Sequence, residues 1–228
     1  MPAAGTKPAP KFTGFSPAVF AWFRDLEETN TREFFAETRD FYERDIRDQV
    51  IALFGELIEE FPGVIHTFRP YRDIRFSADK SPIKTNCSGL IQNRPGTHAA
   101  LYFEVSKNGL YAATGGYHWD KDQLARYRAA VQEARPGKQL EQIMQNLQEH
   151  RFEIMGERLA SAPRGVPKDH PRLSLLQHKE LYVGRSLAPE QCAEPSIAVA
   201  HVRDAWTGAA DLNRWFDKHV GASKLPSR

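Results

Sequence analysis

Apolar residues fall at helical spacing near the start of the chain, alternate in its middle, and return to helical spacing at its end. Ser16-Pro17 predicts a helix start, with Ser as N-cap and Pro at the first helical position. Val19, Phe20, Trp22, Phe23 and Leu26 then form one apolar stripe, with Phe12 and Phe15 before the cap. Asn30 to Glu33 resembles a capping box, Glu33 standing three residues after Asn30. A longer helix is predicted from there through Val50, Leu53 and Leu57 to Phe61, where Pro62-Gly63 ends it. These aromatics suit core packing better than base stacking.

The middle of the chain changes period. Leu101, Phe103 and Val105 alternate with polar positions, Asn108-Gly109 supplies a hairpin turn, and Leu110 to Thr114 returns. Phe103 is predicted to be a packing residue, and so is Trp119. Gly115-Gly116 breaks this strand, and paired glycines let a backbone approach a ligand or a second strand. Asp120 with Gln123 predicts another cap, and Leu124, Tyr127 and Val131 form the face of the helix that follows. Pro136-Gly137 reads as its stop, and Leu140 to His150 as the next helix. Phe152 to Leu159 reads as a strand, and so does His178 to Ser186, where Leu181 and Val183 alternate; Arg172 to Gln177 reads as a short helix, and Pro195 to Val220 as two closing helices. The expected fold is therefore α+β: a mostly antiparallel sheet packed by N-terminal and C-terminal helices in a single domain over residues 12–220. Residues 1–11 and 221–228 are expected as tails.

Composition narrows the class. The 228 residues carry a formal net charge of +2, which gives no strong nucleic-acid signal. From Arg24 to Glu60, however, five basic residues face twelve acidic ones, an acidic helical layer set against a more basic remainder. Cys87 and Cys192 fit no zinc or CxxC spacing and read as buried, reduced thiols. No apolar run approaches membrane-span length, so a soluble cytoplasmic protein is expected.

Candidate chemistry concentrates between residues 69 and 84. Arg69, Arg72, Arg75, Lys80 and Lys84 stand there against Asp73 and Asp79, a local excess of +3. Ile74 and Phe76 alternate with polar residues, which predicts a half-buried strand with Arg72, Ile74 and Phe76 on one face. Pro82 biases Ser81 toward extended geometry, so Ser77 to Ser81 reads as a turn presenting Asp79 and Lys80. An arginine near apolar cover needs an anion. Its planar fork suits carboxylate or phosphate, with lysine as a point charge. Arginine and aspartate on neighbouring strands also pair only with each other.

No phosphate-binding loop, nucleophile elbow, HExxH or EF-hand spacing occurs, so nothing points to a cofactor or a metal. His170 follows Asp169 in a proline-rich loop, where a histidine does acid–base work or simply bonds the backbone. Asp169 reads as an N-cap for the short helix after it about as readily as a carboxylate ligand.

The segments FTGFSPAVFAWFRDLEETNTREFF, YRDIRFSADKSPIKTN, TGGYHW and APRGVPKDHPRLSLLQHKELYVGR resemble, in that order, the bacterial conserved-hypothetical family called domain of unknown function 2461. The resemblance spans about Phe12 to Val220. It is most specific at Tyr71, Arg72, Asp73, Arg75, Phe76, Ser77, Asp79, Lys80, Pro82, Lys84 and Thr85. At Ile83 the family usually has Tyr, so a contact made by that hydroxyl is in doubt here. The resemblance implies one domain and carries over no activity.

Three function classes follow. The first is an anion-binding domain for a small phosphate or carboxylate ligand, with Arg72, Asp73, Arg75, Lys80, Lys84, Gly115 and Gly116 as its binding residues. The second is an enzyme on a phosphorylated or carboxylated substrate, with Asp79 or His170 as acid or base and Lys80 as electrostatic stabiliser. The third is an interaction module whose charges form an internal ion-pair lattice.

Overall fold

The computed structural model describes residues 11–73, 75 and 78–226. A single six-stranded antiparallel sheet has the order β1-β2-β3-β4-β6-β5, where β1 is Val64–Thr67, β2 Asn86–Gln92, β3 Ala100–Ser106, β4 Gly109–Gly116, β5 Glu153–Met155 and β6 Leu181–Leu187. The fold is α+β, as the periodicities predict. The β3–β4 hairpin forms where alternation and Asn108-Gly109 place it, with Leu101, Phe103 and Val105 buried. Gly109 has φ +110°, and a Cβ there would lie 2.0 Å from the Leu187 carbonyl oxygen, so only glycine fits. In the β5–β6 pair, Ile154 stands opposite Val183.

The chain divides into two compact units. The first comprises residues 1–90, 103–111 and 186–203. Its helix α1, Pro17–Glu28, begins as predicted, although the Ser16 hydroxyl makes no capping bond. The long helix expected after Asn30 is instead a chain of short pieces: α2 Arg32–Glu37, α3 Arg39–Phe41, a π-helical turn at Tyr42–Arg47, and α4 Asp48–Leu57. The Thr38 hydroxyl donates to the Phe34 carbonyl at 2.8 Å, a back-bond that bends helices. The π turn resets the phase so that Tyr42, Ile46, Val50, Leu53 and Leu57 are all buried. Thr31, not Asn30, caps α2, accepting from the Phe34 N–H at 3.1 Å. Trp22 packs among Phe23, Phe34, Phe35 and Tyr42, and Phe54 lies against Phe103 with ring centroids 4.2 Å apart.

The second unit comprises residues 91–102, 112–185 and 204–228. Helices α5, Lys121–Gln132, and α6, Ala134–Glu149, pack with α7, Leu173–Leu176, and α9, Ala210–His219, around Tyr127, Leu140, Leu176, Leu181, Leu212 and Trp215. Helix α8, Pro195–Gly208, has residues in both units. Pro136-Gly137 does not stop a helix. It lies in the first turn of α6, where proline is tolerated, and the break falls at Glu133 in extended backbone. Arg172 seals that break: its guanidinium donates to the carbonyls of Val131, Gln132 and Glu133 at 2.6, 3.1 and 3.3 Å. A Cβ on Gly137 would sit 2.5 Å from its Nε. Residues 221–224, expected in a tail, are held onto α5. Arg126 donates to the Val220 and Ala222 carbonyls, and the Asp122 carboxylate accepts from the Lys224 N–H at 2.8 Å.

Candidate functional site

The basic stretch is built on one isolated antiparallel bridge, Tyr71 with Ile83, rather than on the strand its alternation suggests. Arg72, Asp73 and Arg75 lie outside any strand, and Ile74, Phe76 and Ser77 lie outside the described residues. Flanking the bridge, the Arg72 N–H donates to the Pro82 carbonyl at 2.9 Å and the Lys84 N–H to the Pro70 carbonyl at 2.8 Å. That pattern puts Tyr71 and Ile83 on one face and Arg72 and Lys84 together on the other. Ile83 is fully buried, and Asn30 locks it from both sides: the Asn30 amide donates to the Ile83 carbonyl and accepts from its N–H, each at 3.0 Å. Ile83 is therefore pinned to Asn30, between α1 and α2.

The charges of the stretch divide into two groups. Arg75 and Asp73 satisfy each other on the surface, with Nη2–Oδ2 at 2.6 Å and Nε–Oδ1 at 3.0 Å. The Arg75 guanidinium holds the Asp73 carboxyl well below the usual carboxylate range. Asp79 is likewise held low, first by the Ser81 backbone N–H at 2.9 Å and then by its hydroxyl and by Arg72, whose Nη1 lies 3.1 Å away. Both carboxylates are thus fixed as anions at neutral pH and are poor general acids. Lys80 is exposed.

The second group is cationic. The Lys84 ammonium lies 5.3 Å from the centroid of the Phe68 ring. Its pKa is lowered by burial first, then by Arg69 and Arg72. Neither Lys84 nor Arg69 forms an ion pair among the described residues, and the buried Nε of Arg72 has no hydrogen-bond partner there. Behind Lys84 stand two neutral groups. Cys87 is buried, its thiol pushed up to about 11 by burial, and the Tyr42 hydroxyl sits 3.6 Å from its sulfur. Burial drives the Tyr42 phenol upward as well. At neutral pH Cys87 is a thiol and not a nucleophilic thiolate.

The remaining candidates belong to the second unit. Gly115 has φ +140°, and a Cβ there would lie 2.6 Å from the Tyr182 Cα. A Cβ on Gly116 would lie 2.0 Å from the Trp119 ring. Both glycines are required by neighbouring chain, a strand for one and an indole for the other; they also line a small cleft. His170 turns its Nδ1 to the Arg172 N–H at 3.1 Å, a backbone bond within its loop. The N-cap position of α7 is Arg172, not Asp169. Among the described residues no group of three His, Cys, Asp or Glu side chains could hold a metal ion, and no helix is long and apolar enough to cross a membrane.

Arg69, Phe68 and Asn30 complete the basic stretch and were not among its predicted binding residues. Arg69 is visible in the charge count, but nothing in the local pattern ties it to Lys84 fifteen residues later. No curated protein matches the chain. The model of a conserved hypothetical protein family, DUF2461, matches residues 18–215, which is most of the chain, and the protein belongs to that family.

Proposed function

We propose that this protein binds a small anionic ligand, a phosphate or a carboxylate, through Lys84, Arg72 and Arg69. The observation that carries this reading is Lys84: a partly buried ammonium, depressed by burial and by two guanidinium groups, with no carboxylate beside it among the described residues. Like charges held together in reduced dielectric repel, and a bound anion relieves that repulsion. Phe68 supplies one wall, and Arg72 offers a donor not used by Asp79. Lys80 is not among the charges that act on Lys84, so the proposed site shifts from Lys80 and Arg75 toward Arg69.

Binding is favoured over catalysis here because the neighbouring ionisable groups among the described residues are held away from proton exchange near neutral pH. Cys87 and Tyr42 are held neutral, and Asp73 and Asp79 are held ionised by their partners. The ion-pair lattice accounts for Arg75 with Asp73 and for part of Arg72, and leaves Lys84 and Arg69 over.

Thermal melts at constant ionic strength test the reading. Phosphate in place of chloride will raise the melting temperature of the natural protein by mass action. Lys84→Met will show no phosphate effect, and without phosphate it will be as stable as the natural protein to within about 0.5 kcal/mol. Equal phosphate stabilisation of both proteins would defeat the proposal. So would a large loss of stability in the variant without phosphate.

A further inference from the structure

The cleft beside Gly115-Gly116 has a chemistry different from that of the basic stretch. It is lined by Tyr117, Trp119, Phe216, Asp217, Gln123 and His98, among others, and its volume is about 80 Å³. One water needs roughly 10–15 Å³, so the cleft has room for a handful of heavy atoms and not for a nucleotide or a sugar phosphate. Trp119 and Phe216 meet edge to face, with centroids 5.2 Å apart and planes at 80°, so they form a corner of two aromatic walls. The bare backbone of Gly116 lets the indole seat at that corner. Tyr117, 61% exposed, stands at the rim against His118 and Tyr182. Asp217 supplies the charge. Its Oδ1 accepts from the His98 N–H at 2.8 Å, which fixes the carboxylate at the cleft. Glu180 does not line the cleft and is held by His118, whose backbone N–H donates to it at 3.2 Å. Arg94 is the opposing charge, near enough to Asp217 to feel it.

Aromatic rings lining a small space with a carboxylate at its edge suit a desolvated cation better than an anion. A strongly hydrated ammonium loses more on entering such a space than one whose N–H groups are replaced by methyls. We propose that this cleft binds a methylated ammonium group, held by the rings of Tyr117, Trp119 and Phe216 and by the charge of Asp217. The group can come from a free quaternary amine or from a trimethylated lysine side chain.

The test uses the full chain, reading the Trp119 indole N–H by ¹H–¹⁵N NMR. Choline is expected to shift that signal saturably, while 3,3-dimethylbutan-1-ol, its neutral isostere, shifts it at least about tenfold more weakly. Asp217→Asn keeps the acceptor for His98 and removes the charge; it should weaken choline by about tenfold. Tyr117→Ala, at an exposed position, should also weaken it. A short trimethyllysine peptide that binds more tightly than choline marks a protein side chain as the source, and equal binding marks a free amine. Equal shifts from choline and its isostere, or no saturable shift with choline, would overturn the proposal.

Discussion

Phe103→Ala is expected to destabilise the protein by about 3–5 kcal/mol, the range for deleting a fully buried phenylalanine. Phe103 has no exposed surface, and its ring lies 4.2 Å from that of Phe54, tilted by 31°. The contact joins the central strand β3 to α4, so the alanine leaves a cavity between two elements that cannot collapse independently. Urea melts measure the effect: the midpoint should fall with an unchanged slope. An unchanged midpoint would show that Phe103 does not anchor this packing.

Arg172→Met is expected to cost about 1–3 kcal/mol, because it strips the donor from the partly buried Val131 carbonyl at the end of α5, while the carbonyls of Gln132 and Glu133 lie at exposed positions where water can replace it. Methionine retains much of the apolar stem, so the loss reports the hydrogen bonds rather than the packing. The Arg172 side chain is only 13% exposed, and its ion pair with Glu141 is long, at 3.6 Å. Glu141→Gln should therefore change stability by less than about 0.5 kcal/mol. A comparable loss in both variants, measured by the same melts, would assign the effect to the ion pair.

Where local physics decides the structure, the residues announce it. Leu101, Phe103 and Val105 alternate because one face of β3 is buried, and the Asn108-Gly109 turn follows from the backbone freedom that the hairpin needs. The start of α1 is equally plain in Ser16-Pro17. The misreadings come from long-range partners. Asn30 looks like a cap, but its amide is used on Ile83, fifty-three residues away. Pro136-Gly137 looks like a breaker, yet proline suits the first turn of α6, and the glycine leaves room for the Val131 carbonyl and the Arg172 guanidinium bonded to it. Thr38 and the π turn split a helix whose apolar spacing alone reads as continuous. At the candidate site, the charge excess between residues 69 and 84 was visible, whereas its division into paired and unpaired cations was not. Asp73 sits between Arg72 and Arg75 in the chain, and only the folded loop commits it to Arg75.

The most direct test of the proposed anion site is a phosphate titration of the full chain at constant ionic strength, followed by ¹H–¹⁵N NMR. Saturable shifts are expected at the amides of Arg69, Arg72 and Lys84, and they should vanish in Lys84→Met. Shifts scattered over the surface without saturation, or a saturable site that survives Lys84→Met, would contradict the account.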